Sequence, residues 1–268
     1  TAHMAHKLSF GGMDLNNGAK IIMNTLPVCK ERKISYSTFT IADIRFPSMK
    51  DIQVSLVEYD NPSALRFHDS EEIVWDRENI DLKRPGAFKQ EIVKRSSFPM
   101  GYGDRLIMFS DGVTQSGMGS ALPLGWRLSG VRAFAKDQIA KDPDIASHDL
   151  AKAIVQHAYN LDGLSSKDDI TCAVVYVRKP RRTLVVTGPP FSKESDEILG
   201  EKIRSFQGKK IVSGGTTALI VSRLFHAPLK VDMTHWSKDV PPMSSMEGVD
   251  LVTEGMLTLS KVAKVLEQ

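Results

Sequence analysis

GDRLIMFSDGV, residues 103–113, is the stretch on which the reading of this chain turns. The apolar run Leu106 to Phe109 lies between Gly103-Asp104 and Asp111-Gly112, turn formers on both sides. A short apolar run bounded this way predicts a buried strand over Arg105 to Ser110. SSKDDITCAVVYV, residues 165–177, repeats the arrangement, with Asp168-Asp169 leading straight into a second buried strand, Ile170 to Val177. Carboxylates at Asp104, Asp111, Asp168 and Asp169 therefore stand at predicted strand ends. Such a position beside glycine suits a hard divalent cation, which prefers oxygen ligands and close approach of backbone and water. The same residues also make plain turns, since Asp-Gly is a common turn and an Asp-Asp pair a common solvated turn or N-cap. Pattern alone leaves both readings open.

Outward from these strands, the first part of the chain is rich in short strands. Ser35 to Ile44, Asp51 to Tyr59 and Ile92 to Ser97 alternate and carry β-branched or aromatic residues. Leu65 to His68 and Glu72 to Trp75 predict a short antiparallel pair after the turn at Asn61-Pro62. Before them, Met4 to Leu8 reads as the tail of a helix stopped by Gly11-Gly12. Asp14 reads as the N-cap of a second helix carrying Ala19, Ile22, Met23 and Leu26, ended by Pro27. Val131 to Ala140 and Asp149 to Tyr159 predict amphipathic helices. Strands, then helices, then a strand imply an α+β sandwich.

The pattern changes at Lys179-Pro180-Arg181-Arg182, which predicts one domain over residues 1–180 and another over 181–268. In the second, strands at Thr183 to Thr187, Lys210 to Ser213 and Leu229 to Met233 alternate with helices at Ser195 to Phe206 and Thr217 to Phe225. A last helix, Gly255 to Leu266, carries Leu257, Val262 and Leu266. This predicts a small α/β domain with a parallel sheet. Gly188-Pro189-Pro190 and Gly214-Gly215-Thr216-Thr217 each follow a strand and precede a helix, so both loops fall at the carboxyl edge of the sheet, where ligands bind. Backbone N–H groups there, with the two Thr hydroxyls, suit a small anionic ligand or nucleotide. The residues fit neither GxGxxG nor GxxxxGK[ST], and a tight turn with a Thr N-cap explains them as well. Glu254 is expected near the same edge.

Composition narrows the class. The chain has 268 residues, 41% hydrophobic and 25% charged, with a formal net charge of +3. That is globular composition, not disorder. No apolar run approaches the ~20 residues of a membrane span and no secretory signal opens the chain, so no membrane partner is expected. The near-zero charge gives no argument for nucleic acid, and none is expected as a partner. Cys29 and Cys172 lie far apart, forming neither a disulfide framework nor a zinc pattern; a reducing, cytoplasmic setting is expected, with both as small buried hydrophobes. His68, His148, His157, His226 and His235 show no ligand spacing and read as surface or capping residues. Trp126, in LPLGWRLSG, reads as packing or as a substrate contact.

GDRLIMFSDGV resembles the late Asp-Gly signature of the metal-dependent PPM protein phosphatases, in their SpoIIE-type branch, and SSKDDITCAVVYV resembles the family's last metal-binding signature. TLPVCKERKISYSTFTI, residues 25–41, is similar to a subgroup of that branch. The resemblance implies an α/β/β/α sandwich of two antiparallel sheets, with Mn²⁺ or Mg²⁺ (two ions in the intact family site) and hydrolysis of phosphoserine and phosphothreonine by a metal-activated water. It makes Asp111 and Asp168 metal ligands, Asp169 a neighbouring support and Gly112 the close-packing residue beside the metal. It implies a phosphorylated regulatory protein as substrate and leaves a homodimer open. The family's early Asp and bridging Asp-Gly have no counterpart, and Thr1 to Leu8 resembles the middle of the helix that follows them. The chain is therefore expected to begin inside the domain and to be impaired as an enzyme. The competing reading is a non-catalytic regulatory module that senses an anion or nucleotide through its C-terminal α/β domain.

Overall fold

The computed structural model describes residues 2–25, 38–48, 51–82, 91–232 and 241–267. Cys29, His235, Leu26, Pro27 and most of the stretch 25–41 lie outside the described residues. The chain divides between Lys179 and Pro180 into two compact units.

The first unit opens with α1 (Ala2–Phe10) and α2 (Leu15–Thr25). Asp14 Oδ1 accepts the backbone N–H of Asn17 at 3.1 Å, which caps α2. Then come β1 (Phe39–Arg45), β2 (Ile52–Tyr59), β3 (Leu65–His68), β4 (Glu71–Glu72), β5 (Glu78–Leu82), β6 (Glu91–Met100) and β7 (Asp104–Phe109). They are followed by α3 (Asp111–Gln115), α4 (Arg127–Lys141), α5 (Ser147–Leu161) and β8 (Cys172–Tyr176). Two four-stranded antiparallel sheets form, in the orders β1-β2-β6-β5 and β4-β3-β7-β8.

Period-two alternation builds the layers from these strands. On β2 and β6, Val57, Tyr59 and Val93 face Ala19, Ile22 and Met23 of α2. Their neighbours Val54, Leu56, Phe98 and Met100 turn the other way and meet Leu106 of β7, with Met108 and Val175 packed against them. On the second sheet, Ile107 and Phe109 point outward to Val131, Ala135 and Ile139 of α4 and to Leu150, Ile154 and Ala158 of α5. Helices, sheet, sheet, helices is thus the layer order, an α/β/β/α sandwich.

Several local differences from the sequence reading have physical causes. β5 is an edge strand with mainly polar residues, so it carries little hydrophobic signal. The strand expected to reach Trp75 ends at Glu72. The Trp75 indole N–H instead donates to the Ser96 hydroxyl at 3.0 Å, with the ring 5.0 Å from that of Phe98. β8 is half-buried rather than fully buried, because it lies at the sheet edge.

The second unit contains β9 (Thr183–Thr187), α6 (Ser195–Ser205), β10 (Lys209–Ser213), α7 (Gly215–Phe225), β11 (Lys230–Asp232), β12 (Met243–Met246), β13 (Val249–Thr253) and α8 (Met256–Leu266). Its five-stranded sheet runs β11-β12-β13-β10-β9. β9, β10 and β13 are parallel, while β12 pairs antiparallel to β13 and β11 to β12. The third parallel strand is therefore Val249–Thr253. Lys230–Asp232, expected in that role, forms the antiparallel edge. Val186, Val212 and Val252 line up across the three parallel strands and pack with Ile203 of α6 and Val221 of α7.

Candidate active site

β7 and β8 pair antiparallel up to Phe109 opposite Cys172. One residue further, the Ser110 N–H donates to the Thr171 carbonyl at 3.0 Å. The Ser110 hydroxyl donates to the Asp169 carbonyl at 2.7 Å and accepts the Thr171 N–H at 3.0 Å. This serine, the last residue of the strand predicted from sequence, ties the two aspartate-bearing loops together.

Beyond Ser110 the chain turns into α3, with Asp111 in its first turn, where a carboxylate meets the positive end of the helix. Gly112 is buried against the opposite loop. A Cβ at this position would stand 2.5 Å from the Asp169 carbonyl oxygen, 3.0 Å from its carbon and 3.5 Å from Asp168 Cβ. Glycine is the residue that permits this approach. The structure thus brings Asp111, Gly112, Asp168 and Asp169 to one place at the same end of β7 and β8.

The carboxylates differ in their surroundings. Asp111, half-buried, accepts the Gln115 side-chain amide at 2.9 Å. Asp168 is exposed and accepts the Asp169 N–H at 2.8 Å, while the Ser166 hydroxyl donates to its carbonyl. Among the described residues, none of Asp111, Asp168 and Asp169 takes part in an ion pair. A groove of about 660 Å³ opens beside Asp168 and Asp169, lined by Val155, Gln156 and Tyr159 of α5 and by residues 166–170.

As candidate metal donors these residues fit a hard cation in kind, being carboxylates on two turns that pack together through Gly112. Their number is small: among the described residues, no three His, Cys, Asp or Glu side chains are grouped to hold an ion. Mg²⁺ is commonly held by one or two carboxylates while keeping several waters, so Asp111 and Asp168 meet the lower bound for such an ion.

Asp104, the other strand-end aspartate, is not part of this cluster. It is buried at the opposite end of β7. Its Oδ2 accepts Arg66 at 2.6 Å and the Gly101 N–H at 3.0 Å, and its Oδ1 meets His68 Nδ1 at 2.8 Å. Burial pushes its pKa upward, but Gly101, Arg66 and His68 outweigh that and hold it below the usual carboxylate value. It forms a structural ion pair with Arg66 and a hydrogen bond with His68.

Family comparison follows this geometry. The family model described as Stage II sporulation protein E (SpoIIE) matches residues 12–178. The chain belongs to the SpoIIE family. Its first unit has the PPM-type phosphatase fold of that family. Among solved structures it is similar to the Mn-presoaked phosphatase domain of the cell fate determinant SpoIIE from Bacillus subtilis, with 16% identity and a TM-score of 0.43, covering 68% of this chain and 74% of that one. It is also similar to that domain in a crystal form without domain swapping, with 16% identity and a TM-score of 0.41, covering 72% and 75%. None of the curated proteins matches. No helix of the described residues of this SpoIIE-family chain is long and apolar enough to cross a membrane.

The remaining candidates resolve individually. Trp126 is buried, its ring 5.5 Å from Phe134 and 4.6 Å from His157, so it packs the segment 116–126 onto α4 and α5. His157 is half-buried and stacked on Phe134 rather than a surface residue, and burial lowers its pKa. Burial pushes the Cys172 thiol up to about 12, so it is protonated at neutral pH and acts as a core residue.

In the second unit, Gly188, Gly214 and Glu254 follow the three parallel strands and share their carboxyl edge. α7 begins at Gly215, with Gly214 at φ 114° as its N-cap and no side-chain cap, so neither threonine caps it. The Gly214 N–H donates to the Thr253 carbonyl at 2.9 Å and is not free for a ligand. Thr217 is buried, while Gly215 and Thr216 are exposed. Glu254 Oε2 accepts the Leu257 N–H in the first turn of α8 at 3.0 Å, one residue before the N-cap Gly255.

Proposed function

We propose that the first unit is a metal-dependent serine/threonine protein phosphatase that acts on a phosphorylated regulatory protein, with Asp111 and Asp168 holding Mn²⁺ or Mg²⁺. The observation that carries this is the contact of Gly112 with the Asp168-Asp169 backbone, which leaves no room for a side chain between two carboxylate-bearing turns. A bound divalent ion supplies an activated water and screens phosphate charge. The chain's own residues supply the arrangement: Asp111 and Asp168 contribute the negative charge, Ser110 ties their loops, and Gly112 lets them meet. Asp169 contributes its carbonyl to the Ser110 tie and a further carboxylate beside the site. With the Cys172 thiol protonated, no cysteine nucleophile competes among the described residues.

Hydrolysis of p-nitrophenyl phosphate and of phosphoserine peptides is expected with Mn²⁺, at a rate reduced because the family's early metal ligands have no counterpart here, and is expected to stop with EDTA. Asp111→Asn keeps the side-chain shape and removes the charge. It is expected to lower the rate by about a hundredfold or more, with a stability change within about 0.5 kcal/mol. Hydrolysis that survives either EDTA or this substitution refutes the assignment. A chain that neither binds Mn²⁺ nor hydrolyses these substrates leaves the non-catalytic module as the reading.

A further inference from the structure

The two edges of the second unit's sheet are built differently. β11, at one edge, has three residues, Lys230, Val231 and Asp232, two of them charged. Short length and charge are common ways of keeping a sheet edge from pairing with another chain. β9, at the other edge, reads Thr183-Leu184-Val185-Val186-Thr187, without a charge, a proline or a bulge. Among the described residues, no strand pairs with its outer side and no backbone hydrogen bond from a loop or turn reaches it. Val185 is 50% exposed, and Thr183 and Thr187 are exposed as well.

Backbone direction fixes what this edge offers. The Arg182 carbonyl points to β10, where it accepts the Lys209 N–H at 3.0 Å. Successive residues of a strand aim their N–H and C=O groups to opposite sides, so Leu184 and Val186 also face β10. Thr183, Val185 and Thr187 present theirs outward, and such groups call for partners. The strand reads nearly the same in both directions. Turned about Val185, Thr183 falls opposite Thr187 and Leu184 opposite Val186. A two-fold axis at Val185 therefore sets two copies of β9 antiparallel, with each outward N–H facing an outward C=O. Self-complementarity of this kind is what a two-fold interface requires.

The helical layer agrees with that axis. α6 joins β9 to β10, and its Ile203 packs with Val186 and Val212. Along the sheet edge it leaves an apolar groove of about 400 Å³, lined by Leu184, Val186, Leu199 and Ile203 among others, and Ile198 is 56% exposed. With strands ~4.8 Å apart, two copies of α6 stand about 10 Å apart across the axis, close to the distance at which helices pack. They run antiparallel, so the exposed first-turn Glu197 of one copy comes toward the exposed last-turn Lys202 of the other. An unrelated extended peptide would match neither the helix spacing nor these charges. We propose that the second unit is a dimerisation module: β9 pairs antiparallel with β9 of a second copy of this chain about Val185, joining two five-stranded sheets, with α6 packed against α6 above them. The proposal is independent of the phosphatase reading.

Sedimentation equilibrium of the full chain is expected to show a dimer with a dissociation constant of about 1 µM. Val185→Pro removes an outward N–H that has no partner in its own sheet and puts a ring in the pairing edge, a position where an edge strand tolerates proline. Its dissociation constant is expected to rise by about a hundredfold or more, while the melting temperature of the dilute monomer holds. Val185→Lys sets two ammonium groups face to face at the axis and is expected to act the same way; it carries the test if the proline variant does not fold. Amide hydrogen exchange reads the register in the wild type. As concentration rises, exchange should slow most at Thr183, Val185 and Thr187, and least at Leu184 and Val186, whose N–H groups are already bonded to β10. A wild-type chain that stays monomeric up to about 1 mM, or a dimer that survives both substitutions, overturns the proposal. Slowing confined to α8, whose Leu259, Val262 and Leu266 are also exposed, would place the contact on that helix and likewise overturns it.

Discussion

The two ends of β7 carry aspartates in opposite circumstances. At the start, Asp104 is buried and surrounded by donors: Arg66, His68 and the Gly101 N–H. Past the end, Asp111 and Asp168 stand on two turns that pack together at Gly112 and have neutral partners, a Gln115 amide and an Asp169 N–H. Desolvating a carboxylate is costly unless cations and donors accompany it, so the first end can be buried and the second must stay open to solvent or to an added cation. Sequence position at a strand end is the same for both. What separates a structural aspartate from a candidate ligand is whether the fold has already answered its charge.

The sharpest way to break this comparison is at the answered end. Asp104→Ala leaves the half-buried Arg66 without its carboxylate, and Arg66 Nε already lacks a hydrogen-bond partner among the described residues. Loss of about 3–5 kcal/mol of stability is expected in urea unfolding, the cost of breaking a buried pair. The Mn²⁺ affinity of whatever remains folded should change far less. The pH dependence follows from the depressed pKa. Asp104's contribution is complete above the unfolded carboxylate value of about 3.9 and is lost as pH falls through the lower folded value. Wild type should therefore lose stability on acidification below about pH 4, and Asp104→Ala should lose less over that range. A variant as stable as wild type would show that Asp104 does not hold that end of the sheet.

The second test acts at the open end through packing rather than charge. Gly112→Ala places a Cβ against the Asp169 carbonyl group, and both atoms it meets first are backbone, which cannot rotate away. The loops must part, at about 1–3 kcal/mol. Mn²⁺ binding, followed by electron paramagnetic resonance, should weaken by about tenfold or more, although no carboxylate has been touched. Unchanged binding would mean that the two loops need not touch for an ion to be held.

How much of this could be read from residues alone follows the range of the interactions. The strand over 104–109 and its Asp-Gly ending are local, and GDRLIMFSDGV shows them. The apolar run Leu106 to Phe109 is also local and predicts a buried strand, whereas the two sheets that Leu106 and Ile107 face are implied by the family resemblance. The role of Asp104 was not legible, because Arg66 and His68 lie on β3, 38 and 36 residues away. Edge strand β5 escaped notice because an edge needs little apolar character, and β12, inside the second sheet, because Met243–Met246 is short and half serine. In the second unit the start of α7 was misplaced because its cap is Gly214 at positive φ, while Thr217, the residue of cap-like chemistry, is buried.

Ser110 offers the smallest and most selective test of the difference between the two ends. Its hydroxyl makes two hydrogen bonds across the β7–β8 end, one donated to Asp169 and one accepted from Thr171. Neither partner is a carboxylate, so Ser110→Ala alters placement of the loops without altering the charge of the site. Each such bond contributes about 0.5–1.5 kcal/mol net, and water can reach this half-exposed position. A stability loss of about 1 kcal/mol is therefore expected rather than the sum of two bonds. Amide hydrogen exchange at Thr171 should accelerate, since its N–H loses its acceptor, while exchange at Gly101, whose acceptor is Asp104, should not change. Mn²⁺ binding should weaken by less than in Gly112→Ala, because the backbone bond from Ser110 N–H to Thr171 persists. Ser110→Thr, which keeps the hydroxyl, should restore the slow exchange. If Thr171 exchanges at the wild-type rate in Ser110→Ala, the loops are held by Gly112 packing and the backbone pair alone, and the serine does no more than turn the strand.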